Sequence, residues 1–75
     1  MSTTQRRLAA SFAKNIVTLQ GRNDFGGLYH QAVRDFTEAA FAFSLTGTTL
    51  YVLPNGRRVK DFGRAVSAWA AEAGK

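Results

Sequence analysis

The residues able to do chemistry are few. His30 is the single histidine and there is no cysteine. Nucleophilic catalysis needs a nucleophile, a base to activate it and a group to orient the base. Ser11, Ser44 and Ser67 fall in separate predicted elements with no motif around them, and His30 falls on the outward side of a predicted helix. No triad is expected from them. A lone histidine without cysteine also excludes a zinc site of the usual Cys/His type, and no cofactor is called for. Asp35 and Glu38 are three residues apart, so they are neighbours on one helix face. With Arg34 four residues before Glu38, they read as a surface charge cluster rather than an acid–base pair. Asp24-Phe25-Gly26-Gly27 precedes a helix whose first amides could hold an anion. It lacks both the spacing and the lysine of a nucleotide-binding P-loop. The expectation is a non-enzymatic chain that works by binding.

The charge balance says what it would bind. Ten Lys and Arg against five Asp and Glu give a formal net charge of +5. Such an excess favours nucleic acid or an acidic protein surface. The densest basic feature is Arg57, Arg58 and Lys60, followed by Arg64 one turn into the last predicted helix. A basic hairpin can track a phosphate backbone or enter a groove. Strand alternation separates Arg58 and Lys60 from Arg57, and the same charges could instead guard an exposed sheet edge. Arg7 and Lys14 form a second, sparser strip on the first helix, with Arg6 towards its margin. Arg57, Arg58, Lys60, Arg64, Arg7 and Lys14 are the candidate binding residues. Whether the two strips face one way is not readable from spacing.

The elements that must position these side chains follow from periodicity. A first helix is expected from about Thr4 to Gln20, with N-cap oxygens on Ser2, Thr3 and Thr4. Its apolar stripe is Leu8, Phe12, Ile16 and Leu19, flanked by Ala9 and Ala13, with Gly21 as a left-handed cap. Residues 22–27 form a loop under which Phe25 could tuck. A second helix starts near Leu28 and carries Tyr29, Val33, Phe36 and Ala40 inward. Phe43 still fits that stripe, so continuation to Ser44 is favoured. Phe41, Phe43 and Leu45 also alternate as in a strand, which would make Thr46-Gly47 a two-residue hairpin loop. Thr48 to Leu53 reads as a strand, Pro54-Asn55-Gly56 as a turn, and Arg57 to Lys60 as the returning strand. Asp61 caps a third helix from Phe62 to about Ala73, ended by Gly74, with Phe62, Val66, Trp69 and Ala73 inward.

The fold class is therefore α+β: two N-terminal helices, a small antiparallel hairpin or three-stranded meander, and a C-terminal helix, in one domain spanning residues 1–75. A chain of 75 residues without disulfides buries a modest core. Self-association through the hairpin edge is one way to complete it, which keeps a homodimer open. Residues 1–23 carry Arg6, Arg7, Lys14 and Arg22 and no acid, as an organellar transit peptide does. Removing them would leave about fifty residues to fold alone, which argues against that role. No secretory signal or membrane span is expected, membrane partners are disfavoured, and the absence of cysteine suits the cytoplasm.

Two functions remain. The first is a nucleic-acid-binding module, or an accessory to a nucleic-acid-handling complex, that uses the basic hairpin. In size and character the chain is also similar to small proteins encoded by bacteriophages and mobile elements, among them anti-CRISPR proteins and other host-takeover factors. That likeness rests on no motif. It implies an inhibitor that blocks a host protein complex by direct binding.

Overall fold

In the computed structural model the chain runs α1 (Thr3–Gly21), α2 (Gly27–Ala40), β1 (Phe41–Phe43), β2 (Thr49–Val52), β3 (Arg58–Val59) and α3 (Phe62–Ala73). The structure describes residues 1–44 and 46–74, Phe43 by its backbone alone. The helices start where side-chain oxygens meet unpaired first-turn amides. Ser2 Oγ accepts from the Gln5 amide at 3.1 Å, and Asp61 Oδ1 accepts from the Arg64 amide at 3.1 Å. α2 starts at Gly26 without a side-chain cap.

α1 lies between α2 and α3 and packs against both. This placement shifts its buried face away from the expected stripe. Ala9, Ala13 and Ile16 are fully buried, whereas Leu8 is 45% exposed. Ala9, Ala10 and Ala13 of α1 share one core cluster with Ala65, Val66 and Trp69 of α3. Small side chains at a helix contact allow close approach of the axes. The alanines are therefore the centre of the α1 face and the leucine its margin. The end of α1 also differs from expectation. Gly21 is helical, the C-cap is Arg22, and the left-handed residue is Asn23, at φ 55°. Asparagine is one of the few residues that enters this region readily.

The strands form an antiparallel sheet in the order β1-β2-β3. Ala42 faces Leu50 and Phe43 faces Thr49, while Tyr51 faces Val59 and Val52 faces Arg58. Tyr51 is on the helix side. Its ring stacks on Phe36 at 6.0 Å and meets Phe62 edge-on at 5.6 Å. Trp69, fully buried, donates from Nε1 to the Val52 carbonyl oxygen at 2.6 Å and ties α3 to the central strand.

Continuation of α2 to Ser44 is overturned. The helix stops at Ala40, and Phe41 leaves it at φ −60°, ψ 136°. The alternation of Phe41 and Phe43 prevails because β2 offers an unpaired edge, and two strands alone are marginal in water. Leu45, the last residue of that alternation, lies outside the described residues. Ser44 and Thr48 lie outside the strands as well, so the connection to β2 is longer than the two residues Thr46-Gly47. Ser44 holds it together: its Oγ accepts from the Thr48 amide at 2.9 Å, and its carbonyl accepts from the Gly47 amide at 3.1 Å. The second turn matches expectation. The Gly56 amide donates to the Leu53 carbonyl at 2.9 Å, the Leu53 amide donates to the Arg57 carbonyl at 2.7 Å, and Gly56 sits at φ 88°. Phe25 does not tuck under its loop; it is 51% exposed and rests edge-on against Tyr29. Among the described residues, no helix is long and apolar enough to cross a membrane.

Candidate polyanion-binding surface

Arg7 and Lys14 lie on the exposed side of α1, two turns apart with Ser11 between them. With Thr3 they border a groove of about 530 Å³ between α1 and the C-terminal end of α3. Its floor includes Ala10, and its opposite rim is Glu72. The groove exists because the α1–α3 contact is made of small residues, which leave a furrow above them.

Arg6 borders this same groove, and it also borders the hollow that contains Arg58. Its guanidinium Nη2 donates to the Pro54 carbonyl oxygen at 3.1 Å, and its Cζ lies 5.4 Å from the centre of the Trp69 ring. Both contacts leave part of the five-donor guanidinium free for another acceptor. Arg6 thus stands where α1 meets the β2–β3 turn. The sequence reading placed it at the margin of the helix strip. The signal that identifies it is its spacing from Ala10 and Ala13, i+4 and i+7 along the buried flank.

The hairpin residues divide into two groups. Arg58 lies opposite Val52 and lines the hollow of about 400 Å³ shared with Arg6, Gly56 and Phe41. Arg57 is exposed at the turn beside Gly56, where its amide donates to Asn55 Oδ1 at 2.9 Å. Lys60 and Arg64 are exposed further on, at the β3–α3 junction around the Asp61 cap. They border neither of these hollows. The structure therefore brings Lys14, Arg7, Arg6 and Arg58 into one band across two hollows, flanked by Arg57, and leaves Lys60 and Arg64 beyond it.

Two aromatics near the basic turn take different places. Tyr51, next to the basic turn in sequence, is committed to the core with Phe36 and Phe62. Phe41 is 48% exposed and lines the hollow with Arg6 and Arg58. Its position follows from β1 being a strand rather than the end of α2.

The weaker chemical signals end up in local structure. Asp24 Oδ1 accepts from the Gly26 amide at 3.4 Å, a contact within the loop before α2. Asp35 Oδ1 accepts from Gln31 Nε2 at 2.8 Å. His30 is exposed, edge-on to Tyr29. No protein-family model, curated protein or solved structure matches the chain.

Proposed function

We propose that this is a non-enzymatic, basic binding protein that engages nucleic acid, single strands above all, along the band Lys14–Arg7–Arg6–Arg58. The observation that carries this reading is Arg6, which borders both basic hollows and so joins the α1 strip to the hairpin. Exposed Phe41 in the second hollow adds a ring on which an unpaired base can stack. A cationic track with an exposed aromatic suits a flexible single strand, which can place phosphates on the cations and a base on the ring. Duplex DNA keeps its bases inside and would use the cations alone.

The test is fluorescence anisotropy with single-stranded and duplex oligonucleotides of random sequence across a salt series. Micromolar binding is expected, with log K falling against log salt at a slope of about −3 for four phosphate contacts on a single strand. Arg7→Ala/Lys14→Ala/Arg58→Ala should flatten the slope. Phe41→Ala should weaken single-strand binding by about tenfold and duplex binding little, since base–aromatic stacking contributes about 1–3 kcal/mol. No binding at low salt by the folded protein would overturn the reading.

One observation favours the second reading, direct binding to a host protein complex in the manner of a phage-type inhibitor. Phe25 and Leu28 are 51% and 69% exposed at the start of α2, well separated in the chain from the basic hairpin. Capture of a host protein by the native chain and not by a Phe25→Ser/Leu28→Ser variant would support it.

A further inference from the structure

The α1–α2 side of the molecule has the opposite character to the basic band. Leu8, Phe12 and Ala39 line a furrow between the two helices, with Asp35 and Glu38 on the α2 rim. Gln5 closes one end by donating from Nε2 to the Ala39 carbonyl oxygen at 2.9 Å. Along α2, Leu28, Asp35 and Ala39 are spaced i, i+7 and i+11, which is one stripe of a helix. The furrow stripe therefore leads back to Leu28 at the open end, about 16 Å away at 1.5 Å per residue. Leu28 is 69% exposed and Leu8 45%, so an exposed leucine stands near each end.

Charge selects the occupant. The chain has five acidic residues, and three of them, Asp24, Asp35 and Glu38, lie in α2 or the loop before it. Arg22 and Arg34 fall in the same stretch, so residues 22–40 carry a net charge of −1 (two cations against three carboxylates) in a molecule of +5, and the furrow itself is bordered by Asp35 and Glu38 with no cation in its lining. It repels phosphate and attracts cationic side chains.

From this geometry we infer that the α1–α2 furrow docks a basic amphipathic helix of a partner protein. A furrow between two helices takes a third helix whose apolar residues recur at i, i+4, i+7 and i+11. Lysines or arginines beside those anchors then meet Asp35 and Glu38. A second copy of this chain does not supply such a helix. Its exposed basic strip, Arg7, Ser11, Lys14 and Thr18, has one large apolar neighbour, Val17, and not the four anchors such a helix presents. The inference is independent of the nucleic-acid reading, because the two surfaces share no cation.

The probe is a synthetic amphipathic peptide with leucine at those four positions and lysine on its polar face. Its control carries glutamate in place of every lysine. Anisotropy of the labelled peptides at about 0.15 M ionic strength gives affinity, and amide chemical shifts of the protein locate the site. The lysine peptide is expected to bind with Kd on the order of 10–100 µM and to shift Leu8, Phe12, Leu28 and Asp35. Leu28→Ser and Asp35→Asn/Glu38→Gln should each weaken it about tenfold without changing the thermal melt. Arg7→Ala/Arg58→Ala should leave it unchanged. Equal binding of the glutamate control, shifts confined to other surfaces, or no binding up to about 1 mM would overturn the inference. So would sedimentation showing that a second copy of the chain fills the furrow.

Discussion

Arg6 Nη2 donates to the carbonyl oxygen of Pro54 at 3.1 Å, across 48 residues of sequence. Its Cζ also lies 5.4 Å from the Trp69 ring centre, so one cation touches α1, the β2–β3 turn and α3. A cation–π contact and a charged hydrogen bond each contribute about 1–3 kcal/mol when partly desolvated. Arg6→Ala is therefore expected to destabilise the fold by about 2 kcal/mol. Arg6→Lys should lose most of that as well, because an ammonium lacks the planar fork. Urea denaturation followed by circular dichroism measures both. If Arg6→Lys matches the native chain, the guanidinium geometry is unimportant.

Trp69→Phe keeps most of the buried ring but removes the donor to the Val52 carbonyl. Leaving that acceptor unpaired, together with the lost ring volume, is expected to cost about 1–3 kcal/mol. The urea midpoint should fall with no change in the slope m. A change in m would instead mean that β2 detaches from α3 in the variant.

Residue size predicts the wrong order of importance along α1. Leu8→Ala removes a side chain that is 45% exposed, so a loss of about 1 kcal/mol or less is expected. Ala13→Leu forces a branched side chain into a fully buried position beside α3 and should cost about 1–3 kcal/mol. Melting temperatures of the two variants give the ranking. If Leu8→Ala melts lower, the alanine flank is not the centre of the helix contact.

Glu72 stands across the α1–α3 groove from Arg7 and Lys14. A carboxylate there opposes a phosphate in the groove. Glu72→Gln is expected to tighten oligonucleotide binding several-fold and to make its salt dependence steeper. Anisotropy at fixed salt measures the first effect and a salt series the second. Weaker binding in this variant would place the phosphates elsewhere.

Much of the fold is legible in the residues themselves. Ser2 and Asp61 announce helix starts, Pro54-Asn55-Gly56 announces its turn, and Phe36 and Trp69 fall on the periodic stripes they occupy. What is not legible depends on partners distant in sequence. Phe41 fits the end of a helix and the start of a strand equally well, and only pairing with β2 decides between them. Leu8 and Ala13 are both apolar and lie on neighbouring flanks of one helix. Which flank is buried depends on α3, fifty residues away. Lys14, Arg7 and Arg58 could be named as cations from sequence. Their alignment required Arg6, which looks marginal until Pro54 and Trp69 are beside it.

The separation of charge between the two flanks affects more than equilibrium binding. Arg6, Arg7, Lys14 and Arg58 lie towards one side, and Asp24, Asp35 and Glu38 are gathered on α2 and its preceding loop. Arg22 and Arg34 share the acidic segment and Glu72 borders the basic groove, so the two flanks differ in charge without either being of pure sign. A polyanion exerts a torque on such a body at distances of about one Debye length, roughly 8 Å in physiological salt. On the proposed nucleic-acid reading, the protein would turn its basic band towards the strand before contact. The acidic furrow would then face away from the proposed strand.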